Sequence, residues 1–421
     1  MNLEKHNSHW KEEFYYQFDI KRAIFDKLIK NINNRQIIAI SGLRRTGKTI
    51  LIKQLINFLI KDRAINRTNI LYYSFDEEQP KIEEIINEFE RLNNIDKNKT
   101  KVYVFFDEIQ KLEDWQNQIK YYYDNFNIKF FVSGSSSLFI KKKIKEFLAG
   151  RSFDFYLSPL SFKEFLVFRK KEELIKKYKL FPAELKKEFS LFIKRQFIEV
   201  INTNEEFISE YVKSILEKVV YIDIPKVFTI ENQDLLLRLL KIISSNPGML
   251  IEYENLSKEL GINRTTLSNY LFYLEEAFLI KKLYNFSKNR LTSEKKSKKF
   301  YLNSTSFFPY LCSEIDESKI IENLIAIETN SKFFWRTPFK DEVDFVLEDL
   351  NGKIFPIEVK YKNNVNNKEA KGIIKFCAGF KLDKGTIVTK ELEEKRTFLK
   401  NNKKIEIEFV PAWKFLLFYK K

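Results

Sequence analysis

One short stretch constrains the fold of this chain more than any other: an apolar strand that runs into a glycine-containing loop and then a helix. Ile37–Ser41 is followed by Gly42–Thr49, which has the spacing G-x-x-x-x-G-K-T, and apolar residues then recur at helical spacing. A phosphate-binding P-loop requires this order. Its glycines let main-chain N–H groups point at phosphate oxygens, and the following helix N-terminus favours the anion. The sequence therefore predicts an α/β nucleotide-binding domain.

The residues of this loop have separate expected tasks. Lys48 is expected to reach the β- and γ-phosphates, and the hydroxyl of Thr49 to ligate Mg²⁺. A turn with an incidental lysine is the alternative, but the chain has only 10 glycines, so the spacing is hard to obtain by accident. Nothing in the sequence separates ATP from GTP directly. The other loop residues expected around the nucleotide are Gly42, Arg44, Arg45, Thr46 and Gly47.

A second apolar run, Val102–Phe106, ends in Asp107 and Glu108 and is typical of a buried parallel strand. Ligands of open α/β sheets bind at the carboxyl ends of the strands, so these carboxylates are expected beside the phosphates. Asp107 is suited to hold Mg²⁺, and Glu108 to orient or deprotonate the attacking water. A solvated strand end is the alternative for this pair taken alone. Together with the P-loop, it predicts hydrolysis.

Two further candidates follow in the same domain. Phe130–Ser137 is a strand that ends in small polar residues, whose hydroxyls could bind a γ-phosphate or its attacking water; a strand-to-loop turn with a helix N-cap is the alternative. Arg151 follows a glycine and precedes a strand, and could stabilise transition-state charge in its own chain or in a neighbouring subunit. An exposed, solvated arginine is the alternative.

Composition indicates a multidomain protein with an anionic partner. The 421 residues carry 74 Lys or Arg against 58 Asp or Glu, a net charge of +16 that fits nucleic acid or, equally, a Lys-rich genome bias. Two distant cysteines and two histidines exclude His/Cys zinc sites. No apolar run has the length of a membrane span and no signal-peptide pattern opens the chain, so we expect a cytoplasmic protein without membrane contact.

The middle of the chain predicts a helix-turn-helix. Residues 256–263 and 264–271 follow two helical patterns with a tight turn at Gly261 between them, and Lys281 begins an expected wing strand. From Lys281 to Lys299 there are eight Lys or Arg and one Glu, which favours contact with a DNA backbone. A lid or a protein interface is the alternative. The residues expected to contact DNA are Arg264, Thr266, Asn269, Lys281 and Lys282.

The C-terminal third carries an independent set of polar residues. Asp344 lies in an apolar strand, and Glu358 and Lys360 share one face of the next strand after a turn. Asp344, Glu358 and a backbone carbonyl could hold Mg²⁺, and Lys360 could orient a metal-bound water for attack on a phosphodiester. The ordinary alternation of charged and apolar residues in a half-exposed strand is the alternative.

Together these motifs resemble a widespread family of uncharacterised archaeal and bacterial ATPases with an AAA+-type P-loop domain, a winged helix and a restriction-endonuclease-like domain. The resemblance covers nearly the whole chain and implies ATP and Mg²⁺ as cofactors. It implies sensor duty for Ser135 or Ser136 and an arginine finger in Arg151. Its C-terminal motif is similar to that of PD-(D/E)XK nucleases. The matching residues there are Glu322, Asp344, Glu358 and Lys360.

The resemblance implies an α/β fold: an AAA+-like parallel sheet, then an all-α winged helix and an α/β nuclease-like domain. We predict a helical segment over 1–35, the ATPase core with a charged, solvated helical extension over 36–205, the winged helix over 206–299 and the nuclease-like domain over 300–421. The chain departs from the family in lacking a Gly-Gly-Phe-Pro segment within 170–210. It also has Asn303 where an aspartate is usual.

Two functions remain open at this stage. The first is a DNA-associated ATPase whose winged helix grips DNA and whose C-terminal domain cleaves it with Mg²⁺. The second is a nucleotide-dependent switch or scaffold that binds protein partners and has an inactive nuclease-like domain. Either function is compatible with a homo-oligomer.

Overall fold

The computed structural model describes residues 2–135, 148, 150–287, 289, 291, 293, 296–400 and 402–419. Ser136, the alternative sensor, and Lys288, Arg290 and Lys295 of the basic segment lie outside these residues. The chain divides into two compact units, the first ending at Pro159 and including Glu276–Phe278, the second comprising Leu160–Glu275 and Leu279–Lys421. This division falls earlier than the predicted boundary at 205/206, and the four predicted domain ranges stay predictions.

The first unit contains a parallel sheet whose strands are β1 (Ile37–Ser41), β2 (Ile70–Ser74), β3 (Val102–Asp107), β4 (Ile128–Gly134) and β5 (Ser152–Tyr156). Within the described part of the chain the sheet has five strands in the order β2-β3-β4-β1-β5. All neighbouring pairs are parallel. Strand β4 thus lies between the strand that feeds the P-loop and the strand that ends in Asp107. The predicted α/β P-loop fold is confirmed.

Both faces of this sheet are covered because its strands are apolar at consecutive positions. Along β1, Ile37 and Ala39 pack into one hydrophobic cluster, and Ile38 and Ile40 pack into another. The first cluster lies under two amphipathic helices and the second under the helix that follows the P-loop. The helices of this unit are α1 (Leu3–His6), α2 (Phe25–Lys30), α3 (Lys48–Lys61), α4 (Ile82–Asn93) and α5 (Trp115–Asn125).

The N-terminal segment packs against the outer strand β2. The side-chain amide of Asn7 donates to the carbonyl oxygen of Tyr72 at 2.9 Å and accepts from its N–H at 2.7 Å, so it pairs with the strand edge as a neighbouring strand would. The ring of His9 is buried against the carbonyl oxygen of Ile70, and burial lowers the pKa of His9 to about 4. Residues 1–35 are therefore part of the first unit.

The second unit begins with helices α6 (Phe162–Phe168), α7 (Glu172–Lys176), α8 (Pro182–Lys194), α9 (Glu205–Lys218) and α10 (Gln233–Ser245). The short strand β6 (Leu250–Ile251), the helices α11 (Tyr253–Leu260) and α12 (Arg264–Glu276), and the hairpin β7 (Ile280–Asn285) and β8 (Lys298–Leu302) come next. The remainder comprises α13 (Phe308–Leu311), α14 (Glu317–Glu328), β9 (Phe333–Arg336), β10 (Glu342–Glu348), β11 (Ile354–Lys360), α15 (Lys371–Phe380), β12 (Lys384–Thr389), β13 (Glu394–Lys400), β14 (Lys403–Pro411) and α16 (Ala412–Phe418).

These strands form one mixed sheet, nine-stranded over the residues described, in the order β13-β14-β12-β11-β10-β9-β7-β8-β6. Its continuity depends on β7, which pairs antiparallel with β8 and parallel with β9. The hairpin after the helix-turn-helix and the C-terminal strands therefore share one sheet across the predicted boundary at 299/300.

The charged segment over 170–205 is not the solvated connection that its composition predicted. Helix α8 buries Leu185, Phe189 and Phe192, which pack in the same hydrophobic cluster as Phe345 and Trp413. These apolar residues recur at helical spacing, so one face of α8 enters the core, together with the buried Glu188, while its lysines and Glu184 stay at least partly exposed. None of the helices in the described ranges combines the length and the apolar character needed to cross a membrane.

Candidate functional site: the P-loop and a C-terminal carboxylate cluster

The P-loop is closely packed beneath the end of β5. Gly47 has φ +94°, a left-handed conformation that costs glycine nothing, and it leads directly into α3. A Cβ on Gly42 would collide with the main-chain oxygen of Leu157, so only glycine fits there. Of the other predicted loop residues, Thr46 is buried, Arg44 is half-buried, and Arg45 is exposed with φ +65°. The sequence spacing therefore reflects real constraints of the backbone.

Polar side chains hold the loop in its curled shape. The ammonium of Lys48 donates to the carbonyl oxygens of Gly42 and Leu43 at 3.0 and 3.1 Å, and the hydroxyl of Thr46 donates to Leu43 at 2.8 Å. From outside the loop, the buried guanidinium of Arg22 donates to the carbonyl oxygen of Thr46 at 2.7 Å. Arg22 was not among the predicted residues because nothing in its local sequence connects it to the loop.

Thr49 and Asp107, the two residues expected to ligate Mg²⁺, are in contact. The Thr49 hydroxyl donates to Asp107 Oδ2 at 2.6 Å, Tyr72 OH donates to the same oxygen at 3.2 Å, and the hydroxyl of Ser133 donates to Oδ1. Burial, then the neighbouring Glu108, raises the pKa of Asp107. A hydroxyl and a buried carboxylate at this separation suit the hard oxygen preference of Mg²⁺, so the residues present fit that ion.

Glu108 lies beside Asp107 and is held by a residue that the sequence did not single out. Its backbone has φ +51°, a left-handed conformation uncommon for this residue type. The side-chain amide of Gln110 donates to Glu108 Oε2 at 2.5 Å and to the hydroxyl of Ser135 at 3.1 Å. Gln110 thus connects the predicted base and the predicted sensor. Its position two residues after Glu108 was the signal available in the sequence.

Arg151 does not join this site in its own chain. Its carbonyl oxygen accepts from the N–H of Ile37 at 2.7 Å, so it lies at the N-terminal end of β1, whereas the P-loop follows the C-terminal end. At about 3.3 Å per residue, this strand separates the two ends by roughly 15 Å. The guanidinium forms two hydrogen bonds with the Asp124 carboxylate, at 2.9 and 3.1 Å. The same-chain alternative is therefore wrong, and action on a neighbouring subunit stays a prediction.

The predicted helix-turn-helix elements are α11 and α12, with Gly261 at the end of the first helix. Helix α12 buries Leu267, Tyr270 and Leu271 and leaves Arg264 and Asn269 exposed. Thr266 is half-buried, and its N–H donates to the side chain of Asn263 at 2.7 Å, which caps the helix. The predicted polar face therefore presents Arg264 and Asn269 to the surface.

Two predicted DNA-contacting lysines on β7 already have partners in the fold. Lys282 forms a 2.7 Å ion pair with Glu275, and its side chain is only 19% exposed. Burial opposes its charge, but Glu275 raises the pKa of Lys282 above its ordinary value. Lys281 donates to the side-chain oxygen of Asn330 at 2.5 Å. The Lys282 charge is therefore compensated internally, which weakens its expected contact with a phosphate.

The predicted C-terminal residues come together on β10 and β11. Phe345 lies opposite Ile357 in this antiparallel pair, which places Asp344 and Glu358 side by side. Asp344 Oδ2 accepts from the N–H of Val359 at 2.8 Å, and the Lys360 ammonium donates to Glu358 Oε1 at 2.6 Å. Burial and then Asp344 raise the pKa of Glu358 to about 8. Among the residues described, Glu358 Oε2 is buried without a hydrogen-bond partner.

A lysine that the sequence had assigned to the basic wing lies in this group. The buried ammonium of Lys299 pairs with Glu342 and lies 3.8 Å from both Glu322 Oε1 and Asp344 Oδ1. We call the four residues Lys299, Glu322, Glu342 and Asp344 the carboxylate cluster. Burial opposes the Lys299 charge, but Asp344, Glu322 and Glu342 together raise the pKa of Lys299.

Other side chains complete the compensation of the carboxylate cluster. Glu322 accepts from the hydroxyl of Tyr301 at 2.8 Å and from Lys319 at 3.0 Å, and Glu342 pairs with Arg336 at 3.2 Å. Nowhere in the described ranges do three His, Cys, Asp or Glu side chains converge in a way that could hold a metal ion. The residues present here, including the predicted ligands Asp344 and Glu358, do not fit a Mg²⁺ site.

Comparisons with known proteins match three stretches of the chain to protein families. A family profile described as an AAA domain matches residues 34–166, and two profiles described as domains of unknown function match residues 199–319 and 314–411. The uncharacterized protein MJ1544 of Methanocaldococcus jannaschii is 33% identical over 421 residues, which cover 95% of this chain and 91% of that protein. An uncharacterized Haemophilus influenzae protein is 24% identical and covers 82% of this chain and 87% of its own length.

Among solved structures, the chain is similar to the Aeropyrum pernix ORC2 protein in its ADP form, with 14% identity and a TM-score of 0.38 over 77% of this chain and 98% of that one. It is also similar to Cdc6p from Pyrobaculum aerophilum, with 14% identity and a TM-score of 0.29 over 76% of this chain and 97% of that one.

Proposed function

This chain belongs to the same family as the Methanocaldococcus jannaschii protein MJ1544, and we propose that it hydrolyses ATP at its P-loop with the help of Mg²⁺. The observation that carries the proposal is the 2.6 Å hydrogen bond between Thr49 and Asp107 beside the buried Lys48. It brings the two expected Mg²⁺ ligands to the mouth of the loop that would hold the phosphates.

Each residue of this site has a task in the proposed reaction. Lys48 exchanges its carbonyl partners for β- and γ-phosphate oxygens and offsets the charge that develops there. Thr49 and Asp107 would hold Mg²⁺, which would supply positive charge to offset that of the phosphates. Glu108 orients the attacking water and accepts its proton. Gln110 holds Glu108 and Ser135 in register, so that the base and the γ-phosphate sensor respond together.

Steady-state phosphate release with Mg²⁺ and either ATP or GTP tests this proposal in the full chain. Lys48→Ala and Glu108→Gln are expected to lower turnover at least about 100-fold, and Glu108→Gln to retain bound ATP. Lys61→Ala, at the exposed end of the same helix, and Glu113→Gln, on the exposed surface, are the matched controls. Normal turnover in both site variants would refute the assignment, and faster GTP turnover would change the substrate.

We further propose that α12 contacts DNA through Arg264 and Asn269, with Thr266 at the helix start. The exposure of Arg264 and Asn269 beside a buried apolar face supports the proposal. The ion pair of Lys282 with Glu275 argues against a phosphate contact there. The net charge of +16 favours association with a polyanion.

Fluorescence anisotropy with single-stranded, duplex and branched DNA tests this contact. Arg264→Ala is expected to weaken binding and to reduce the slope of log affinity against log salt by about 1. Lys362→Ala removes one positive charge from the exposed surface of the same unit and serves as control. ATP turnover that is indifferent to every DNA, with no DNA binding, would favour the alternative of a nucleotide-dependent switch for protein partners.

Arg151 is proposed to act on the nucleotide of a second copy of the chain. Its distance from its own P-loop and its position at the edge of the sheet support action between subunits. Arg151→Ala and Glu108→Gln chains, each with low turnover alone, are expected to regain turnover when mixed. A mixture that stays inactive, together with a monomeric mass in the presence of ATP, would show that Arg151 only holds Asp124.

A further inference from the structure

The carboxylate cluster of the second unit combines space with a balanced charge. A cavity of about 480 Å³ borders it, lined by residues that include Lys299, Lys319, Arg336, Glu322, Glu342 and Asp344. Three of these side chains are cationic and three are carboxylates. The space would admit an ion and its water, so a metal is not excluded by size. Whether a metal can bind here depends on the charges of the side chains that line the cavity.

We propose that Lys299 takes the place of a divalent cation in the carboxylate cluster, so that this site holds no Mg²⁺ and cleaves no DNA. The Lys299 side chain is 4% exposed and approaches three carboxylates on two elements: Glu322 on α14, and Glu342 and Asp344 on β10. A cation in the middle of three carboxylates is the arrangement that a metal site would otherwise have.

Glu358 Oε2, buried beside Asp344 without a hydrogen-bond partner among the described residues, is available to a divalent ion, but the other oxygens of this group are already engaged. Mg²⁺ requires oxygens at about 2.0–2.1 Å in octahedral geometry. Asp344 Oδ2 is already held by the N–H of Val359, and its other oxygen faces Lys299. An ion bound at that oxygen would lie within a few ångströms of a buried ammonium, and two such cations repel strongly in a low-dielectric interior.

Moving Lys299 out of the way would also be costly. Its side chain lies on β8 next to the buried Phe300 and Tyr301, and the ammonium has three acidic neighbours to lose. Taking a buried ammonium from its partners exposes carboxylates that no longer have compensation. Tyr301 and Lys319, which hold Glu322, further fix the cluster in this form.

Mn²⁺ binding to the full chain tests the proposal. It is measured as the loss of the electron paramagnetic resonance signal of free Mn²⁺. All variants carry Asp107→Asn, which removes the predicted P-loop ligand and makes the result independent of the proposed ATPase. This background chain and its Asp344→Asn derivative are expected to bind Mn²⁺ identically. Lys299→Met is expected to add one Mn²⁺ per chain, and adding Asp344→Asn to that variant should remove it again.

Lys298→Met is the control because it removes one positive charge from the adjacent position of the same strand, where side chains point to the other face. It should add no Mn²⁺. One extra Mn²⁺ in the background chain that disappears with Asp344→Asn would overturn the proposal, as would a folded Lys299→Met chain that gains none. If Lys299→Met does not fold, the proposal is tested by comparing Mn²⁺ binding to the background chain with binding to its Asp344→Asn derivative.

A plasmid-nicking assay with Mg²⁺ or Mn²⁺ provides a second readout on the wild-type chain. No cleavage is expected. Cleavage that is lost in both Asp344→Asn and Lys360→Ala would place a working metal site at this cluster and overturn the proposal.

Discussion

Asp107 in the first unit and Asp344 in the second both lie on buried strands, and each unit has a buried lysine nearby. In the first unit the Asp107 carboxylate accepts hydrogen bonds from three hydroxyl groups, while Lys48 donates to carbonyl oxygens of its own loop. In the second unit the Asp344 carboxylate faces the ammonium of Lys299 directly. The same two residue types are thus connected differently.

This difference separates a site prepared for a cation from one that already contains one. Hydroxyl groups orient a carboxylate without cancelling its charge, and burial of that charge at Asp107 raises its pKa. An ammonium cancels the charge outright. A buried aspartate with a lysine nearby therefore does not identify a metal site by itself. Whether a buried aspartate can bind a metal depends on the groups that contact its carboxylate.

Asp107→Asn is expected to give the largest effect and to sharpen this comparison. Turnover of Mg²⁺-ATP should fall at least about 100-fold because the expected metal ligand is lost. The first unit should lose no stability, because burial raises the pKa of Asp107 and its ionised form therefore opposes folding near neutral pH. Phosphate release and peptide-resolved hydrogen exchange measure the two quantities.

Asp62→Asn, at the exposed C-terminal end of α3, is the control for this prediction. It should change neither quantity. A large loss of protection in the first unit with retained turnover would mean that Asp107 is structural, and the two aspartates would no longer differ in kind.

Most of the P-loop site was predictable because its residues lie in two short stretches with a clear local order. Strand, loop and helix placed Lys48 and Thr49, and an apolar strand ending in acid placed Asp107. Tyr72, Ser133 and the remaining contacts depend on the sheet order, in which β2 and β4 flank β3. No local pattern encodes that order, so these partners of Asp107 could not be predicted.

Unlike Asp107→Asn, Asp344→Asn should destabilise the unit in which it lies. The second unit is expected to lose about 3 kcal/mol because one partner of a buried ammonium is removed. Hydrogen exchange of peptides from β10 and β11 measures the loss. Glu348→Gln, on the exposed end of β10, is the matched control and should change protection little. Greater protection in Asp344→Asn would mean that Asp344 carries an uncompensated charge, as expected of an empty metal site.

The partners of Lys299 were beyond sequence analysis for a physical reason. Its run of basic residues has the composition of a solvated or DNA-binding segment, and its carboxylate partners lie on α14 and β10, far along the chain. A charge pattern does not reveal which lysine turns inward. The apolar run Phe300–Leu302 directly after Lys299 was the one local sign, since it marks a buried strand. Helix α8 offered a clearer sign in its apolar periodicity.

Gly248 tests how tightly the carboxylate cluster is closed. It has φ +79°, and a Cβ there would lie 2.5 Å from Glu322 Oε1 and 2.8 Å from the hydroxyl of Tyr301. Gly248→Ala is therefore expected to destabilise the second unit by about 2 kcal/mol, measured by hydrogen exchange. Gly379→Ala is the control, because a Cβ there meets nothing within 4 Å, and in helix α15 it should stabilise by up to about 1 kcal/mol. Equal protection in both variants would show a cluster that yields easily.

The smallest expected effects come from one hydroxyl in each unit. Tyr72→Phe removes a donor from Asp107, and Tyr301→Phe removes one from Glu322. Tyr72→Phe should lower ATP turnover by less than about tenfold, because a weaker hold on the Asp107 carboxylate weakens Mg²⁺ binding. Its effect on stability should be below about 1 kcal/mol.

Tyr301→Phe should leave turnover unchanged and cost the second unit about 1 kcal/mol, since the ammonium groups of Lys299 and Lys319 still hold Glu322. Phosphate release at varied Mg²⁺ concentration and hydrogen exchange distinguish the two. The opposite result would be a loss of stability without a loss of turnover in Tyr72→Phe, and a loss of turnover in Tyr301→Phe. The hydroxyl at Asp107 would then be structural and the carboxylate cluster functional, and the contrast between Asp107 and Asp344 would be wrong.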